Sequence, residues 1–412
     1  EAVFNECSGD YSGRLILAEL SGLPVNSKTQ DHTAEIIFEG DRNARNQFVY
    51  TDLSTIFPGY SYSFGKSLYR GENPSEGGYV ANKEGVHKNV VLLDVESMHP
   101  RSLIELNFFG KYTKNFEDLV TARLAIKHKD YELAGKLFGG RLKPYLNDPS
   151  QAKKLSYALK IAINIVYGMT SAKFPNKFNM DANKDNIVAK RGALFMVELK
   201  HQLDERGIEW IHFKTDSVKL TNPKEEDIQF VKDFGAKYGY TFAHEATYSR
   251  MALVTKADYV AQVGWSEDGE EEVGKWEVVG ARFADPFTFK KLFSKEELVE
   301  EDFFISKSAT APMYIGGEFV GKVASIYASV SGFDIERVAV KDGEEKRSTV
   351  AGTKGFKWRL KEDFRGLKDV DLEYYNGRAK EAITMISKVG HVGTIIDDIP
   401  VEYIEEDFLL PF

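Results

Sequence analysis

Apolar residues recur at the three-to-four-residue spacing of an α-helix in several parts of the chain. The predicted helices are residues 12–22, 117–138, 149–167, and a segment that begins after Asp185 and ends before Gly207. Gly139 and Gly140 are the expected stop of the second helix, and Gly168 is that of the third. Asp185 is the expected N-cap of the fourth helix, because its carboxylate can accept from the first free N–H groups.

Strand-like segments flank two aspartates. The apolar run Asn89-Val-Val-Leu-Leu93 predicts a buried strand that leads directly into Asp94. Residues 208–221 predict two short strands joined by a turn, with Asp216 at the tip of the hairpin. Further strands are predicted over 249–263 and 273–283 and in a Gly- and Val-rich region over 310–360, whereas 50–80 are expected to be mostly loop.

Length and composition indicate an ordinary folded protein. A chain of 412 residues exceeds what one core organises, so two to four subdomains are expected. No apolar stretch approaches the ~20 residues that span a bilayer, and no signal-peptide pattern opens the chain, which favours a cytoplasmic protein with no membrane partner. Cys7 is the only cysteine, which excludes an internal disulfide and suits a reducing compartment.

The net charge of −9 is unevenly distributed. Residues 111–160 carry eleven Lys or Arg against five Asp or Glu. Such a basic segment in an acidic protein is typical either of an anionic ligand surface or of a solvated helix face. Charge alone does not choose between the two.

Asp94 and Asp216 could together form a two-metal site. Phosphoryl transfer uses carboxylates that hold two cations, which stabilise the attacking and the leaving oxygens. Magnesium prefers such hard oxygen ligands. Taken singly, however, each aspartate is as typical of a turn or a helix cap. The segments around them therefore decide the interpretation.

Those segments resemble motifs of family B DNA polymerases. Asp94-Val-Glu-Ser-Met-His-Pro100 resembles the first palm motif, an Asp and two variable residues followed by Ser-Leu-Tyr-Pro. Lys160-Ile-Ala-Ile-Asn-Ile-Val-Tyr-Gly168 resembles the fingers motif, Lys-x-x-x-Asn-Ser-x-Tyr-Gly. Thr215-Asp-Ser217 resembles the end of the second catalytic motif, Tyr-Gly-Asp-Thr-Asp-Ser. Gly77-Gly-Tyr-Val80 is similar to the family's template-contacting motif, and Lys256-Ala-Asp-Tyr259 to its primer-gripping Lys-Lys-Arg-Tyr element.

Two pairs of residues at helical spacing strengthen the resemblance. Arg123 and Lys127 are four apart on one predicted helix, and Lys160 and Asn164 are four apart on the next, so each pair shares a face. In the family, equivalent pairs on two antiparallel fingers helices close over the nucleoside triphosphate, whose charge such cations neutralise. The seven residues from Lys160 to Tyr167 match family B, whereas family A polymerases have eight.

The resemblance implies a fold and an activity. The fold is α+β, an open-hand polymerase with an antiparallel-sheet palm, helical fingers and a mixed α/β thumb. The implied divisions are an N-terminal scaffold segment 1–88, a palm of 89–110 and 168–290, fingers of 111–167, and a thumb with the C-terminal region over 291–412. The activity is template-directed extension of a primer 3′-hydroxyl with dNTPs through two Mg²⁺ ions, with Mn²⁺ as a possible substitute, so the partners are primer–template DNA and dNTPs.

The resemblance also assigns roles to single residues. The metal ligands are Asp94, the Val95 carbonyl and Asp216. The catalytic residues are the two aspartates with Lys160 as a proton donor to the leaving group. The nucleotide-binding residues are Ser97, Met98, His99, Arg123, Lys127, Lys160, Asn164 and Tyr167. The DNA-binding residues are Gly77, Gly78, Tyr79, Gly168, Thr215, Lys256 and Tyr259.

The sequence departs from the family pattern at several positions. Lys214 stands where the second catalytic motif has its first, more peripheral aspartate, and we expect activity to survive this change. His99 replaces the tyrosine that packs under the sugar, which predicts weaker rejection of ribonucleotides unless histidine packs equally well. Ile165 and Arg101 each replace a serine. Only 93 residues precede Asp94, too few for the exonuclease domain that stands before this palm in the family. The short, divergent architecture resembles bacteriophage members, which implies work in a host cytoplasm, and the exonuclease domain is expected either to be absent or to have been lost with an N-terminal part of the chain.

Alternatives stay open at this stage. Asp94-Val-Glu96 also resembles the opening Asp-x-Glu of a 3′–5′ exonuclease of the type with four acidic metal ligands, although no partner motif follows. A degenerate polymerase fold that only binds nucleic acid is a second alternative. Residues 352–358 predict either a basic–aromatic nucleic-acid contact or a strand and turn of a small module. The apolar end of the chain, 407–412, either binds a sliding clamp or packs on its own domain.

Overall fold

The computed structural model describes residues 8–341 and 343–399. Its α-helices are α1 Ser8–Ser21, α2 Thr29–Phe38, α3 Met98–Glu105, α4 Thr113–Lys127, α5 Tyr131–Lys136, α6 Lys143–Leu146, α7 Pro149–Thr170, α8 Ile187–Arg206, α9 Glu225–Lys237, α10 Pro286–Phe289 and α11 Leu372–Ser387. Its strands are β1 Ser61–Ser63, β2 Lys66–Leu68, β3 Val80–Asn82, β4 Gly85–Val95, β5 Trp210–Lys214, β6 Ser217–Thr221, β7 Phe242–Leu253, β8 Tyr259–Ser266, β9 Trp276–Val279, β10 Ile305–Ile315, β11 Glu318–Phe333, β12 Ile335–Lys341, β13 Glu344–Thr349 and β14 Trp358–Leu360. The predicted clamp-binding residues 407–412 lie outside the described part.

The strands form three sheets. A seven-stranded sheet has the order β3-β5-β6-β4-β7-β8-β9, a five-stranded sheet has the order β13-β12-β10-β11-β14, and β1 pairs with β2. All neighbours in the five-stranded sheet are antiparallel, as are β7, β8 and β9. A mixed α and β fold with antiparallel sheets is therefore confirmed. The palm, fingers and thumb, with their boundaries, stay predictions.

The chain divides into two compact units. Unit 1 comprises Glu1–Ala81, Leu93–Lys219 and Pro223–Ala243. Unit 2 comprises Asn82–Leu92, Leu220–Asn222 and His244–Phe412.

Helices dominate the core of unit 1. Helix α4 packs along α7, and α3 packs against α8. All residues of α8 from Ile187 to Leu199 are buried, including the charged Lys190 and Arg191. This part of the helix is covered on all sides, which accounts for its many apolar residues. It provides a rigid support for the short helix α3, which follows Asp94.

Unit 2 has its own core between the five-stranded sheet and α11. Tyr375 of α11 is 1% exposed, and its hydroxyl donates to the Phe303 carbonyl at 2.6 Å and accepts from the Ala328 N–H at 3.0 Å. Trp358 on β14 is also fully buried, and its indole N–H donates to the Thr353 carbonyl at 2.9 Å. The 352–358 segment is thus a turn and strand of a small module, and its tryptophan is not available to nucleic acid.

Two helix boundaries differ from the prediction. The predicted helix over 117–138 is two helices, because Lys129 adopts a left-handed φ of 61° and Asp130 then caps α5 by accepting from the Leu133 N–H at 3.0 Å. Helix α7 continues through Gly168 to Thr170, where the predicted stop was wrong. Buried Val166 and Thr170 hold its last turn against the core, and this tertiary packing outweighs the low helix propensity of glycine.

Asp185 does not cap α8 as predicted. Asn183 takes that role, since its side-chain oxygen accepts from the Ile187 N–H at 2.7 Å. The buried Asp185 carboxylate instead accepts from the hydroxyls of Tyr50 and Tyr60, each at 3.4 Å. An aspartate before a helix can serve either purpose, and only the position of the two tyrosines selects between them.

The strand predictions differ in extent. The predicted strand over 249–263 is the end of β7, a turn at residues 254–258 and the start of β8, and β9 covers only four residues of 273–283. The β-rich region over 310–360 is confirmed as the five-stranded sheet. Among the described residues, no helix is both long and apolar enough to cross a membrane.

Candidate active site

Asp94 and Asp216 belong to two backbone segments of unit 1 that pair with each other. Asp94 is the penultimate residue of β4, and Asp216 is in the two-residue turn between β5 and β6, as predicted. The Val95 N–H donates to the Asp216 carbonyl at 2.9 Å. Residues 95 and 216 are therefore opposite each other, so the backbone next to Asp94 pairs with the Asp216 turn although 122 positions separate the two aspartates in sequence.

The Asp216 carboxyl lies in a desolvated place. Burial raises its pKa, while a backbone hydrogen bond and the Lys219 ammonium act in the opposite direction. A desolvated carboxylate favours a cation beside it, because a cation stabilises the ionised form. Lys219 is 2% exposed between the buried Val218 and Leu220 of β6, and this lysine between two apolar residues is a signal that sequence reasoning did not use.

The predicted metal ligands share one chemical type. The Asp94 and Asp216 carboxylates and the Val95 carbonyl are all oxygen ligands of the kind that Mg²⁺ takes. Among the described residues, no group of three or more His, Cys, Asp or Glu side chains could hold a metal ion. A metal site at Asp94 and Asp216 therefore stays a prediction, and Lys214 at the end of β5 occupies the place where the family pattern has a further aspartate.

The glycine motif lies directly against the Asp216 turn. The Tyr79 carbonyl accepts from the Thr215 N–H at 2.9 Å. Gly78 has a φ of 151°, and a Cβ there would lie 2.8 Å from the Cγ2 atom of Thr215. Thr215 itself has a φ of 56°, which is rare for a β-branched residue. The close approach of Gly78 thus helps to hold the turn that carries Asp216.

Glu96 and Ser97, which follow the predicted metal ligands, contact the predicted cation pair of helix α4, Arg123 and Lys127. Ser97 starts α3 in a left-handed conformation and accepts from the Arg123 guanidinium at 3.0 Å. The Glu96 carboxylate lies 3.8 Å from the Lys127 ammonium and 2.8 Å from the His128 ring. Burial lowers the pKa of Arg123, and Glu96 opposes that shift. Glu96 was not among the predicted site residues, although it stands between two of them in the Asp94 motif.

A contact between His99 and Tyr167 joins the segment that follows Asp94 to helix α7. Their rings stack with centroids 4.1 Å apart and an angle of 5° between planes. Burial lowers the pKa of His99 to about 4, so the ring is neutral at physiological pH. Its buried Nδ1 atom has no hydrogen-bond partner in the part of the chain that the structure describes. Met98 packs on α8 at Gly192, where a Cβ would lie 2.6 Å from its sulfur.

Lys160, Asn164 and Gly168 form one exposed stripe on α7. Over the described residues, neither the Lys160 nor the Asn164 side chain makes a hydrogen bond or ion pair, and no contact joins them to the aspartates. They belong to the site only through the helix that also carries Tyr167. Their role as nucleotide ligands stays a prediction.

Lys256 and Tyr259 lie in unit 2. Lys256 is exposed in the turn between β7 and β8. Tyr259 is 5% exposed, and its hydroxyl donates to Glu277 at 2.5 Å. Within unit 2 this tyrosine is a core residue with a satisfied hydroxyl, and its predicted contact with a primer stays a prediction.

Comparisons with known proteins give little beyond these contacts. No protein-family model and no curated protein sequence matches the chain. Among solved structures, the chain is similar to the family B DNA polymerase from the hyperthermophilic archaeon Pyrobaculum calidifontis, with 15% sequence identity and a TM-score of 0.46. The match covers 94% of this chain and 54% of the archaeal one, so this chain spans about half of that protein's length. At that TM-score the likeness carries no argument about function.

Proposed function

We propose that this protein is a template-directed DNA polymerase of the family B type, which extends a primer 3′-hydroxyl with dNTPs. One observation supports this most. Segments that resemble separate polymerase motifs contact each other directly within unit 1: Tyr79 contacts Thr215, Val95 pairs with Asp216, Ser97 binds Arg123, and His99 stacks on Tyr167. Chance motif matches would have no reason to converge on one place.

The proposed metal ligands are Asp94, Asp216 and the Val95 carbonyl. Magnesium bound there would supply positive charge for the attacking and leaving oxygens of an in-line displacement. The protein's own part would be to bring the two aspartates together through the backbone pairing of Val95 with Asp216 in the turn after β5. The Gly78 contact supports that turn.

The proposed triphosphate site is the cation-rich face of α4 and α7. The ion pair between Lys127 and Glu96 is long and partly exposed, so it is weak and can be exchanged for a phosphate. Arg123 is already fixed by Ser97, which orients its guanidinium before substrate binds. Lys160 is exposed on α7, and it would donate a proton to the leaving pyrophosphate.

Glu96 weakens the exonuclease alternative. That activity needs the Glu96 carboxylate as a metal ligand, yet this carboxylate is directed at the His128 ring, 2.8 Å away. A non-catalytic nucleic-acid-binding protein is the second candidate. Lys214 beside the turn and Lys219 near Asp216 favour it, because both lower the negative charge that would attract metal ions.

Primer extension with Mg²⁺ tests the proposal. Wild-type protein should extend a primer, and both Asp94→Asn and Asp216→Asn should reduce the rate by about a thousandfold, since each removes several kcal/mol of charge stabilisation. Asp233→Asn, an exposed aspartate on α9, is the matched control and should retain full activity. Folded wild-type protein that binds DNA without extending it would establish the non-catalytic candidate, and shortening of the primer would establish the exonuclease.

A further inference from the structure

A hairpin in unit 1 exposes an aromatic ring that the fold does not explain. Strands β1 and β2 are joined by Phe64 and Gly65, with φ values of 50° and 76°. A two-residue turn with both φ values positive is of type I′, for which Asn-Gly is the favoured pair. A bulky residue rarely adopts positive φ. Phe64 is also fully exposed, at 101%. Neither packing nor turn geometry accounts for phenylalanine at this position.

The surroundings of Phe64 are aromatic and basic. Tyr62 on β1 is 39% exposed, and its hydroxyl donates to the Lys184 carbonyl at 3.2 Å. Lys66 is exposed at the start of β2, and Lys184 is exposed in the loop of residues 171–186. Neither lysine makes an ion pair within the described ranges. This surface offers flat rings for stacking together with unneutralised positive charge.

The loop of residues 171–186 joins this hairpin to the candidate active site. It begins where α7 ends, three residues after Gly168. Asn176 donates to the Met169 carbonyl at 3.0 Å and Asn183 to the Thr170 carbonyl at 3.2 Å, which fixes the loop against the end of α7. The same loop exposes Lys173 and Phe174, the latter at 55%.

We propose that the β1–β2 hairpin and the loop of residues 171–186 bind single-stranded nucleic acid. Bases would stack on Phe64 and Tyr62, and phosphates would pair with Lys66 and Lys184. Aromatic faces accept any base, and cations follow the backbone. A duplex keeps its bases stacked on each other, so no base face is free to stack on Phe64. An acidic peptide could pair with the lysines but has no base to stack on the aromatic rings. Given the proposed function, on which this step rests, the strand is the unpaired template ahead of the primer end.

Equilibrium binding without Mg²⁺ or dNTPs tests the inference on the full chain. Fluorescence anisotropy compares a primer–template with a 5′ template overhang of about ten nucleotides, a length within the site sizes of single-strand binders, with the same duplex made blunt. Phe64→Asn should weaken binding to the overhang DNA by about tenfold and leave binding to the blunt DNA unchanged. The Asn-Gly turn that it creates is favoured, so the variant should fold at least as well as wild type. Phe319→Asn, at a ring 65% exposed in unit 2, is the control and should change neither affinity.

The lysines have a separate readout. Lys66→Gln combined with Lys184→Gln should reduce the slope of log K against log salt by about 1.4, which is about 0.7 for each lost phosphate contact to a single strand. Unchanged overhang affinity in Phe64→Asn would overturn the inference, and so would equal weakening on both DNAs. The binding assay involves no catalysis. A protein that does not extend primers, but whose overhang affinity falls in Phe64→Asn, would therefore contradict only the proposed function.

Discussion

The contact between Gly78 and Thr215 gives a sharp test of how the Asp216 turn is held. Alanine at position 78 must adopt a φ of 151°, and its Cβ would lie 2.8 Å from Cγ2 and 2.9 Å from Oγ1 of Thr215. Strain of this kind costs about 1–3 kcal/mol, and forcing an extra methyl into a filled space costs about as much again. Gly78→Ala should therefore destabilise the protein by about 2–6 kcal/mol.

The neighbouring glycine provides the control. Gly77 has no left-handed φ, and a Cβ there would meet nothing within 4 Å. Gly77→Ala should be neutral or slightly stabilising, because alanine restricts the unfolded chain. Urea unfolding of the two variants and wild type under identical conditions measures the difference in midpoint.

A double-mutant cycle separates the clash from the strain. Thr215→Gly removes both clashing atoms and tolerates the φ of 56° at that position. In this background Gly78→Ala should cost about 1–3 kcal/mol less than in wild type, which is the share due to the clash. If the cost is the same in both backgrounds, or if Gly77→Ala is as harmful as Gly78→Ala, the close approach does not hold the turn.

Three further predictions concern other parts of the structure. Burial lowers the pKa of His99 to about 4 from an ordinary value near 6.5, so folding favours the neutral ring. The resulting stabilisation is complete above pH 6.5 and is lost as the pH falls towards 4, by at most about 3 kcal/mol. In unfolding experiments across that pH range, His99→Phe should remove this part of the acid sensitivity. Tyr375→Phe leaves two buried backbone groups without their partner and should lower the unfolding free energy of the protein by about 2–4 kcal/mol in denaturant titrations; a loss within error of zero would mean that water replaces the hydroxyl. Gly110→Ala would place a Cβ 2.0 Å from the Gln47 carbonyl oxygen and should cost about 3 kcal/mol or more, whereas Gly59→Ala, with a positive φ but open space, should cost only about 1 kcal/mol in the same assay.

Local pattern was enough to predict several elements of the fold, although α2, α9 and α11 were not predicted. Examples of the predicted elements are the strand from Asn89 to Leu93, the hairpin that carries Asp216 and the β-rich region after residue 305. Each follows from the spacing of apolar side chains along the chain. This works because a strand or helix must bury one face, and the period of that face is written in consecutive residues. The alignment of Arg123 with Lys127 on α4 and of Lys160 with Asn164 on α7 follows in the same way.

Local pattern failed where an element's end depends on distant atoms. Gly168 looked like a helix stop, but the packing of Thr170 continues α7 beyond it. Asp185 looked like a cap, but the hydroxyls of Tyr50 and Tyr60 bind it instead. Glycine and aspartate each serve several purposes, and the choice among them is made by neighbours far away in sequence.

The candidate site shows the same division. Sequence by itself determined which residue types are present: two aspartates at strand ends, paired cations at helical spacing and a glycine motif. Tertiary structure alone decided that Val95 pairs with Asp216, that Glu96 binds Lys127, and that His99 stacks on Tyr167. These contacts join segments separated by tens of residues or more, and such pairings depend on how whole elements pack rather than on any local preference of the chain.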